Sequence, residues 1–405
     1  MKKLLKAVLL VLSMMVLHPD AYAQWTALNS GTTDGLTAIS VCAPDTAYAV
    51  STDFANGGKI LATKDGNSWI QQYSSPVYLL CVFFRSSLLG WAGGGIIPNG
   101  LVLKTTDGGQ TWTTASTNLH QVYSLFFIND TLGWAIGNNA IQGQCFIYQT
   151  TDGGFTWTQQ YTGTDYLRSI HFSSPATGYA AGDNGRIFKT VNGGLNWFLL
   201  STGVVFHFND IDFVSDSIGW AAGAYVNGGC YHTINGGSSW TSQALPATTP
   251  VSSVSFISPS RGWLAGNNGS IYYTANGGQN WTLQSSTVSG HLRSIKMYDH
   301  YNGYAVGQTG TIVKYESSGT GLVETKQEAM YVYPNPAENF IRLAPWSPGS
   351  DLEYAITDQT GRELVRGTVS GTDPVLKVSS LPPGMYLLRL GNPVVRVLRF
   401  VRSPE

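Results

Sequence analysis

The side chains with the strongest claim to chemistry are few, because charged residues make up only 12% of this 405-residue chain. Between Gln24 and Tyr315 there is no glutamate at all. A carboxylate pair able to work as general acid and base must therefore come from aspartates. Asp165, Asp183, Asp210 and Asp212 are the candidates outside the repeated phrases described below. Asp210 and Asp212 stand two apart in a strand-like run from Phe208 to Phe213, which puts both on one face. Nothing in the sequence places a partner carboxylate across from them. No His, Asp, Glu or Cys set has metal-ligand spacing and no Gly-rich phosphate loop precedes a helix, so no metal and no cofactor are expected. Cys42, Cys81, Cys145 and Cys230 lack C-x-x-C spacing and are expected as buried thiols, with Cys42–Cys81 the one pairing to consider. A net charge of −1 offers no general attraction for nucleic acid.

A second set of candidates emerges once the elements that would position it are aligned. The phrase Thr-x-Asp/Asn-Gly-Gly-x-x-Trp recurs, with Asp107, Asp152, Asn192, Asn235 and Asn276 at its third place and a shorter copy around Asp65. Its closing tryptophans are Trp69, Trp112, Trp157, Trp197, Trp240 and Trp281, spaced 40–45 residues apart. Before each phrase stands a Gly-Trp-Ala-like strand, seen at Trp91, Trp134, Tyr179, Trp220 and Trp263, with Tyr48 and Tyr304 adding one at each end. Four short strands per unit at this period is a propeller signature. The last unit lacks its box strand, and Gln24-Trp25-Thr26-Ala27 supplies one at the other end of the chain. The expectation is an all-β chain: a seven-bladed β-propeller over residues 24–315, closed by its N-terminal strand so that no edge is left open.

Aligning the innermost strands brings together a candidate ligand-binding set at one mouth of the central channel: Tyr123, Tyr166, Arg168, His207, Asn209, His291 and Arg293. Aromatic faces beside guanidinium and amide donors suit a sugar or a peptide. The box residues have a structural task instead. Asp or Asn accepts backbone N–H groups in the turn, the paired glycines permit positive φ, and the tryptophan packs between blades.

These phrases resemble the Asp boxes of sialidase-like (BNR) propellers, and the tighter unit with Gly-Trp-Ala before each box is similar to the photosystem II assembly factor-like propellers. The resemblance covers residues 24 to about 315 and implies the fold; it does not imply the activity. Sialidases of this type use an arginine cluster and a tyrosine nucleophile activated by glutamate, and the missing glutamate disfavours that chemistry here. Other Asp-box glycosidases use two aspartates, which keeps a polysaccharide hydrolase as the alternative to a non-catalytic binding module.

The ends of the chain concern transport. Lys2, Lys3 and Lys6, the apolar run Ala7–Leu17 and Ala21-Tyr22-Ala23 read as a signal peptide over residues 1–23. No later segment is long and apolar enough for a transmembrane helix. Residues 316–330 read as a linker. Residues 331–405 hold alternating strands and Pro/Gly turns, expected as a small β-sandwich. The order Tyr333-Pro334-Asn335-Pro336-Ala337, then Thr360-Gly361-Arg362, Leu381-Pro382-Pro383-Gly384-Met385-Tyr386 and a terminal strand resembles the type A sorting domain of the type IX secretion system of Bacteroidetes. That resemblance implies the secretion machinery as partner, passage to the cell surface or medium, and removal of the tag; the propeller itself is expected as a monomer. Asp45-Thr46, Asp130-Thr131 and Asp216-Ser217, each followed by an apolar residue, are similar to the short O-glycosylation sequon of that phylum, with Thr46, Thr131 and Ser217 as acceptors. An Asx turn is the competing reading.

Overall fold

The computed structural model describes residues 23–53, 55–224, 229–247 and 250–317 and, in the tail, 331–333, 337, 339–344, 352–358, 362–369, 375–390 and 396–402. Residues 1–22 of the expected signal peptide, residues 318–330 of the expected linker, Pro334-Asn335-Pro336 and Thr360-Gly361 lie outside the described residues. The chain divides into two compact units, residues 1–318 and 319–405.

Among the described residues of the first unit are seven four-stranded antiparallel sheets. Six use consecutive strands; the first, for example, is Gly35–Ala43, Thr46–Thr52, Gly58–Thr63 and Ile70–Ser75. The remaining one joins Leu292–Met297, Gly303–Gly307 and Ile312–Ser317 to the N-terminal strand Ala23–Leu28. In it Trp25 lies opposite Tyr315 and Leu28 opposite Ile312, and pairing runs on to Ser317, past the expected end of the unit at Tyr315. The first strand of each sheet lies against the first strand of the next, and Leu292–Met297 lies against Gly35–Ala43. The sheets thus follow one another around an axis, as in a propeller.

The Gly-Trp-Ala phrase has a steric origin. In six sheets the first strand ends on a bulky residue that pairs with the glycine opening the second, as Phe127 does with Gly133 and Phe172 with Gly178. A Cβ at Gly133 would fall 2.4 Å from the Phe127 ring, and one at Gly178 2.5 Å from Phe172. Glycine is there for close approach. The first sheet pairs Val41 with Ala47, a smaller residue over a position that keeps its Cβ.

The same rings join neighbouring sheets. Tyr48 stacks on Phe84, Trp91 on Phe127, Trp134 on Phe172, Tyr179 on Phe213 and Trp220 on Phe256, with centroids 3.4–3.7 Å apart. The box tryptophans Trp112, Trp157, Trp197, Trp240 and Trp281 meet those phenylalanines edge-on at 5.8–6.1 Å. Trp69 meets Tyr304 edge-on at 5.9 Å. Each such pair contributes about 0.5–1.5 kcal/mol beyond its buried area.

Within a box the threonine is the hub. Thr105 Oγ1 accepts the Gly109 N–H at 2.9 Å and donates to Asp107 Oδ1 at 2.8 Å, and Asp107 accepts the Thr111 N–H at 2.9 Å. Thr190 and Asn192 do the same with Gly194 and Asn196. Gly108 and Gly109, at φ 73° and 83°, carry the turn through the left-handed region. The box also receives the preceding sheet: the indole N–H groups of Trp91, Trp134 and Trp220 donate to the carbonyls of Gly153, Gly193 and Gly277 at 2.8–3.1 Å. Trp263 occupies the same place before a sheet without a box, and its buried Nε1 has no acceptor among the described residues. Trp25 stands in for the missing box tryptophan. Its Nε1 donates to Gln284 Oε1 at 2.9 Å, as that of Trp281 does to Gln243 at 3.2 Å.

All four cysteines are free thiols. Cys42 and Cys81 do not pair because they sit at different levels of their strands: Cys42 Sγ faces the Thr46 carbonyl, Cys81 Sγ that of Val122. In the second unit, a three-stranded sheet (Tyr331–Tyr333, Phe340–Ala344, Val375–Lys377) and a four-stranded one share a core of Ile341, Leu343, Ile356, Leu376, Leu388 and Phe400. Tyr386 Oη donates to the Pro382 carbonyl at 2.6 Å, pinning the Pro-Pro-Gly turn.

Trp25 is fully buried among Trp263, Tyr273, Ile295 and Tyr315. Trp25→Ala should therefore cost about 3–5 kcal/mol and lower the melting temperature of the mature chain. An unchanged thermal transition would show that Ala23–Leu28 contributes nothing to the fold.

Candidate functional site

One backbone irregularity, repeated seven times, builds the axial channel. In every first strand the register skips one residue near the start, between Leu36 and Ala38, Leu79 and Cys81, and at the equivalent places onward. The bulge leaves the skipped residue, the next, and the one two further on facing the axis. These three tiers line a cavity of about 400 Å³. Its wall is two-sided. The second and third sheets contribute Leu80, Cys81, Phe83, Tyr123 and Phe126; the fourth to seventh contribute serines and every charged group of the wall.

The candidate mouth residues separate into two layers. Tyr123, Arg168, Asn209 and Arg293 are at the bulge and line the channel. Tyr166, His207 and His291 do not line it; each stands two residues before the bulge and braces a neighbour. Tyr166 packs edge-on against Tyr123 at 5.9 Å. His207 Nδ1 and Arg168 Nε converge on Asp183 Oδ1 at 2.9 and 2.5 Å. His291 Nε2 lies 2.6 Å from Ser252 Oγ. Asn209 donates to the Val251 carbonyl at 3.4 Å.

Deeper in the channel lies a charged cluster that alignment of strand starts alone does not reach. Asp210 Oδ1 accepts from Ser169 Oγ at 2.8 Å; its Oδ2 accepts from Ser253 Oγ at 2.7 Å and the Val254 N–H at 3.1 Å, with Lys296 Nζ at 3.7 Å. Asp212 Oδ2 accepts the Phe256 N–H at 2.7 Å, and its Oδ1 faces His171 Nδ1 at 3.3 Å. Burial pulls the Lys296 ammonium down, but Asp210 and Asp212 outweigh it and raise its pKa, so it stays charged at neutral pH. Burial lowers the His171 pKa despite Asp212. Comparing the residue just after the bulge, and the one two further on, in each first strand would have found this set.

Two groups of conceivable catalysts are disarmed. Bonds from Thr111, then Thr105, hold the Asp107 carboxyl at about 2, and the Asp65 carboxyl is lowered by the N–H groups of Asn67 and Ser68. Burial, with Tyr166 beside it, pushes the Tyr123 phenol up to about 12, so it is a neutral ring rather than a nucleophile. Asp165 is 3.4 Å from Arg186. The sequon turns also differ from expectation. Asn129 and Ser215, the residues before the aspartates, cap them, while Asp130 and Asp45 face Arg85 and Lys314 and Asp216 accepts from Ser173 and Thr177 of the preceding sheet. Thr131 and Ser217 are exposed; Thr46 is half-buried. No group of three metal-ligating side chains occurs among the described residues.

With this geometry in hand, residues 162–296 and 250–316 match the family of the photosynthesis system II assembly factor YCF48, and residues 331–397 match the secretion system C-terminal sorting domain. The chain resembles two families at once. Its tail carries the mark of type IX export to the cell surface or medium. No helix among the described residues is long and apolar enough to cross a membrane. No curated protein matches the chain. Among solved structures, YCF48 bound to D1 peptide is 20% identical, covering 72% of this chain and 96% of that one with a TM-score of 0.60. YCF48 from Cyanidioschyzon merolae is 19% identical over 72% and 98% of the two chains, TM-score 0.59. The GH74 enzyme of Niastella koreensis is 15% identical over 94% and 74%, TM-score 0.57. At such identities the likeness speaks for the fold alone.

His171 gives the channel a pH signature. Because its pKa is lowered on folding, its contribution to stability is complete above the unfolded value of about 6.5 and is lost as pH falls through the folded one. The melting temperature should drop below about pH 6.5, and His171→Asn should flatten that slope. Parallel melting-temperature profiles for parent and variant would show that His171 is not held neutral.

Proposed function

We propose that the first unit is a seven-bladed β-propeller closed by its N-terminal strand, followed by a β-sandwich export tag. In this reading the mature protein is a monomeric, non-catalytic module that binds an extracellular glycan or protein at the channel mouth. The observation that carries it is the row of fixed donors at one tier, Arg168, Asn209, Ser252 and Arg293, facing Leu80 and Tyr123 across the channel. Fixed donors opposite apolar faces are the usual make-up of a ligand site. YCF48 bound to D1 peptide supplies a precedent for a propeller of this shape holding a ligand.

A glycosidase is the second reading, favoured by the GH74 neighbour and by two aspartates on the channel wall. Against it stands the bonding of Asp210, whose two oxygens take two hydroxyls, a backbone N–H and an ammonium. A carboxylate so engaged lacks the free lone pair that acid–base catalysis uses. Glycan and peptide arrays probed with the secreted protein test both readings. Ligand retained without turnover, and lost in Arg168→Ala/Arg293→Ala with the fold intact, is the expected result. Product release that depends on Asp210 would establish the enzyme instead.

Export rests on the tail. Deleting residues 331–405 should leave a folded propeller in the periplasm, whereas intact chains should reach the surface or medium starting at Gln24 and ending within the linker. Mass spectrometry of the cell fractions reads both, and undiminished export of the truncated chain would remove the tag from the account.

A further inference from the structure

Three cations line the channel, and they are not equally satisfied. Arg168 is paired with Asp183 and Lys296 with Asp210. Arg293 has no carboxylate or other acceptor among the described residues. It is half-buried, and burial lowers the pKa of its guanidinium. The group crosses the start of the first sheet where Gly35 makes room: a Cβ there would lie 3.2 Å from Arg293 Nη1. A partly desolvated cation without a counter-charge is less favourable in the free protein than a paired one. Leu80 and Ser252 stand at the same bulge position in other sheets and need no charge.

The surroundings of Arg293 specify what would balance it. Ser252 and Asn209 hold the equivalent positions in the two preceding sheets, so hydroxyl, amide and guanidinium follow one another along the wall. Burial, and then the Arg293 charge, lower the His291 pKa, so its ring is neutral. With Nε2 protonated, His291 donates to Ser252 and frees the serine hydrogen for a ligand. Across the channel are Leu80 and the uncharged face of Tyr123.

We propose that Arg293, with Ser252 and Asn209, is an anion site that receives the carboxylate of an acidic saccharide, whose ring lies toward Tyr123. The proposal rests on the binding-module reading and narrows it. Each first strand is the innermost of its sheet and is hydrogen-bonded on one side only, so an acidic peptide is the competing ligand that the test must separate. Neutral Asn209 and Ser252 suit sugar hydroxyls beside the acid group.

The test is calorimetric titration of the secreted protein with a trigalacturonate, a sulfated disaccharide, cellotriose and an acidic hexapeptide. Parent, Arg293→Met and Arg293→Lys are compared, and the ligand-free melting temperature of each is recorded. The expected result is uronate binding that weakens at least tenfold in Arg293→Met and less in Arg293→Lys. Ligand-free Arg293→Met should melt at the same temperature as the parent or higher, because an unbalanced charge has gone. Binding of the sulfated sugar with the same dependence on Arg293 would support the anion site. Uronate affinity unchanged in Arg293→Met, or a lower melting temperature of that variant without ligand, would overturn the proposal. Cellotriose or peptide bound equally by parent and Arg293→Met would also overturn it, while leaving the binding module standing. A parent that binds none of the four and nothing on the arrays would defeat the module itself.

Discussion

The contact on which the first unit depends is a stacked aromatic pair placed over a glycine at the boundary between sheets. The phenylalanine at the end of a first strand covers the glycine of its own second strand and receives the Trp or Tyr of the preceding sheet at 3.4–3.7 Å. Three constraints follow. The glycine cannot carry a Cβ, the second strand must present a flat ring next to it, and the box tryptophan must close the edge of the same phenylalanine. Because the indole N–H then points at the next box, the turn chemistry of one sheet is tied to the core of its neighbour. A polar tip of this kind explains why Trp recurs there rather than Phe.

Packing of this strength on the outside of each boundary allows irregularity on the inside. The first strands all carry a bulge near their start, which gives up a regular pair but turns an additional residue toward the axis. Those inward positions are not needed for the stacked core, so their identity is open to variation. They differ accordingly, with Leu80, Phe83 and Phe126 on one side and Arg168, Asp210 and Lys296 on the other. The buried carboxylates then tie sheets together: Asp210 holds groups from the fourth, sixth and seventh sheets at once. Part of the polar wall is thus mortar.

The period, the box phrases and the missing last box made the architecture readable, because each is a local rule repeated at fixed spacing. The partner of each stacked ring was not readable in the same way. Phe84, Phe127 and Phe172 look like ordinary apolar strand residues, and their task depends on a neighbour about forty residues away. At the mouth, alignment found Arg168 and Arg293 but could not separate the residue at the bulge from the one two positions before it. Tyr166, His207 and His291 were therefore grouped with residues they only support. The pairings of Asp183 with His207 and of Lys296 with Asp210 cross from sheet to sheet, and no spacing along the chain encodes them.

The seam between the last two sheets shows how the stacking rule and the pairing of two distant strands compete. Pairing Ala23–Leu28 with Ile312–Ser317 in one sheet lets Trp25 take the place of a box tryptophan, with its indole bonded to Gln284. It also removes the turn that would have supplied a glycine carbonyl, and Trp263 is left with a buried N–H and no acceptor among the described residues. Such an orphan donor costs about 1–3 kcal/mol. The ring opposite changes as well: Met297 stands where other sheets have phenylalanine, and its thioether lies over Gly303. A flexible, polarizable side chain adapts to an aromatic neighbour whose polar tip is not fixed. The departure at this boundary arises where the fold uses two distant pieces of chain, and the burial of Trp25 outweighs the lost hydrogen bond there.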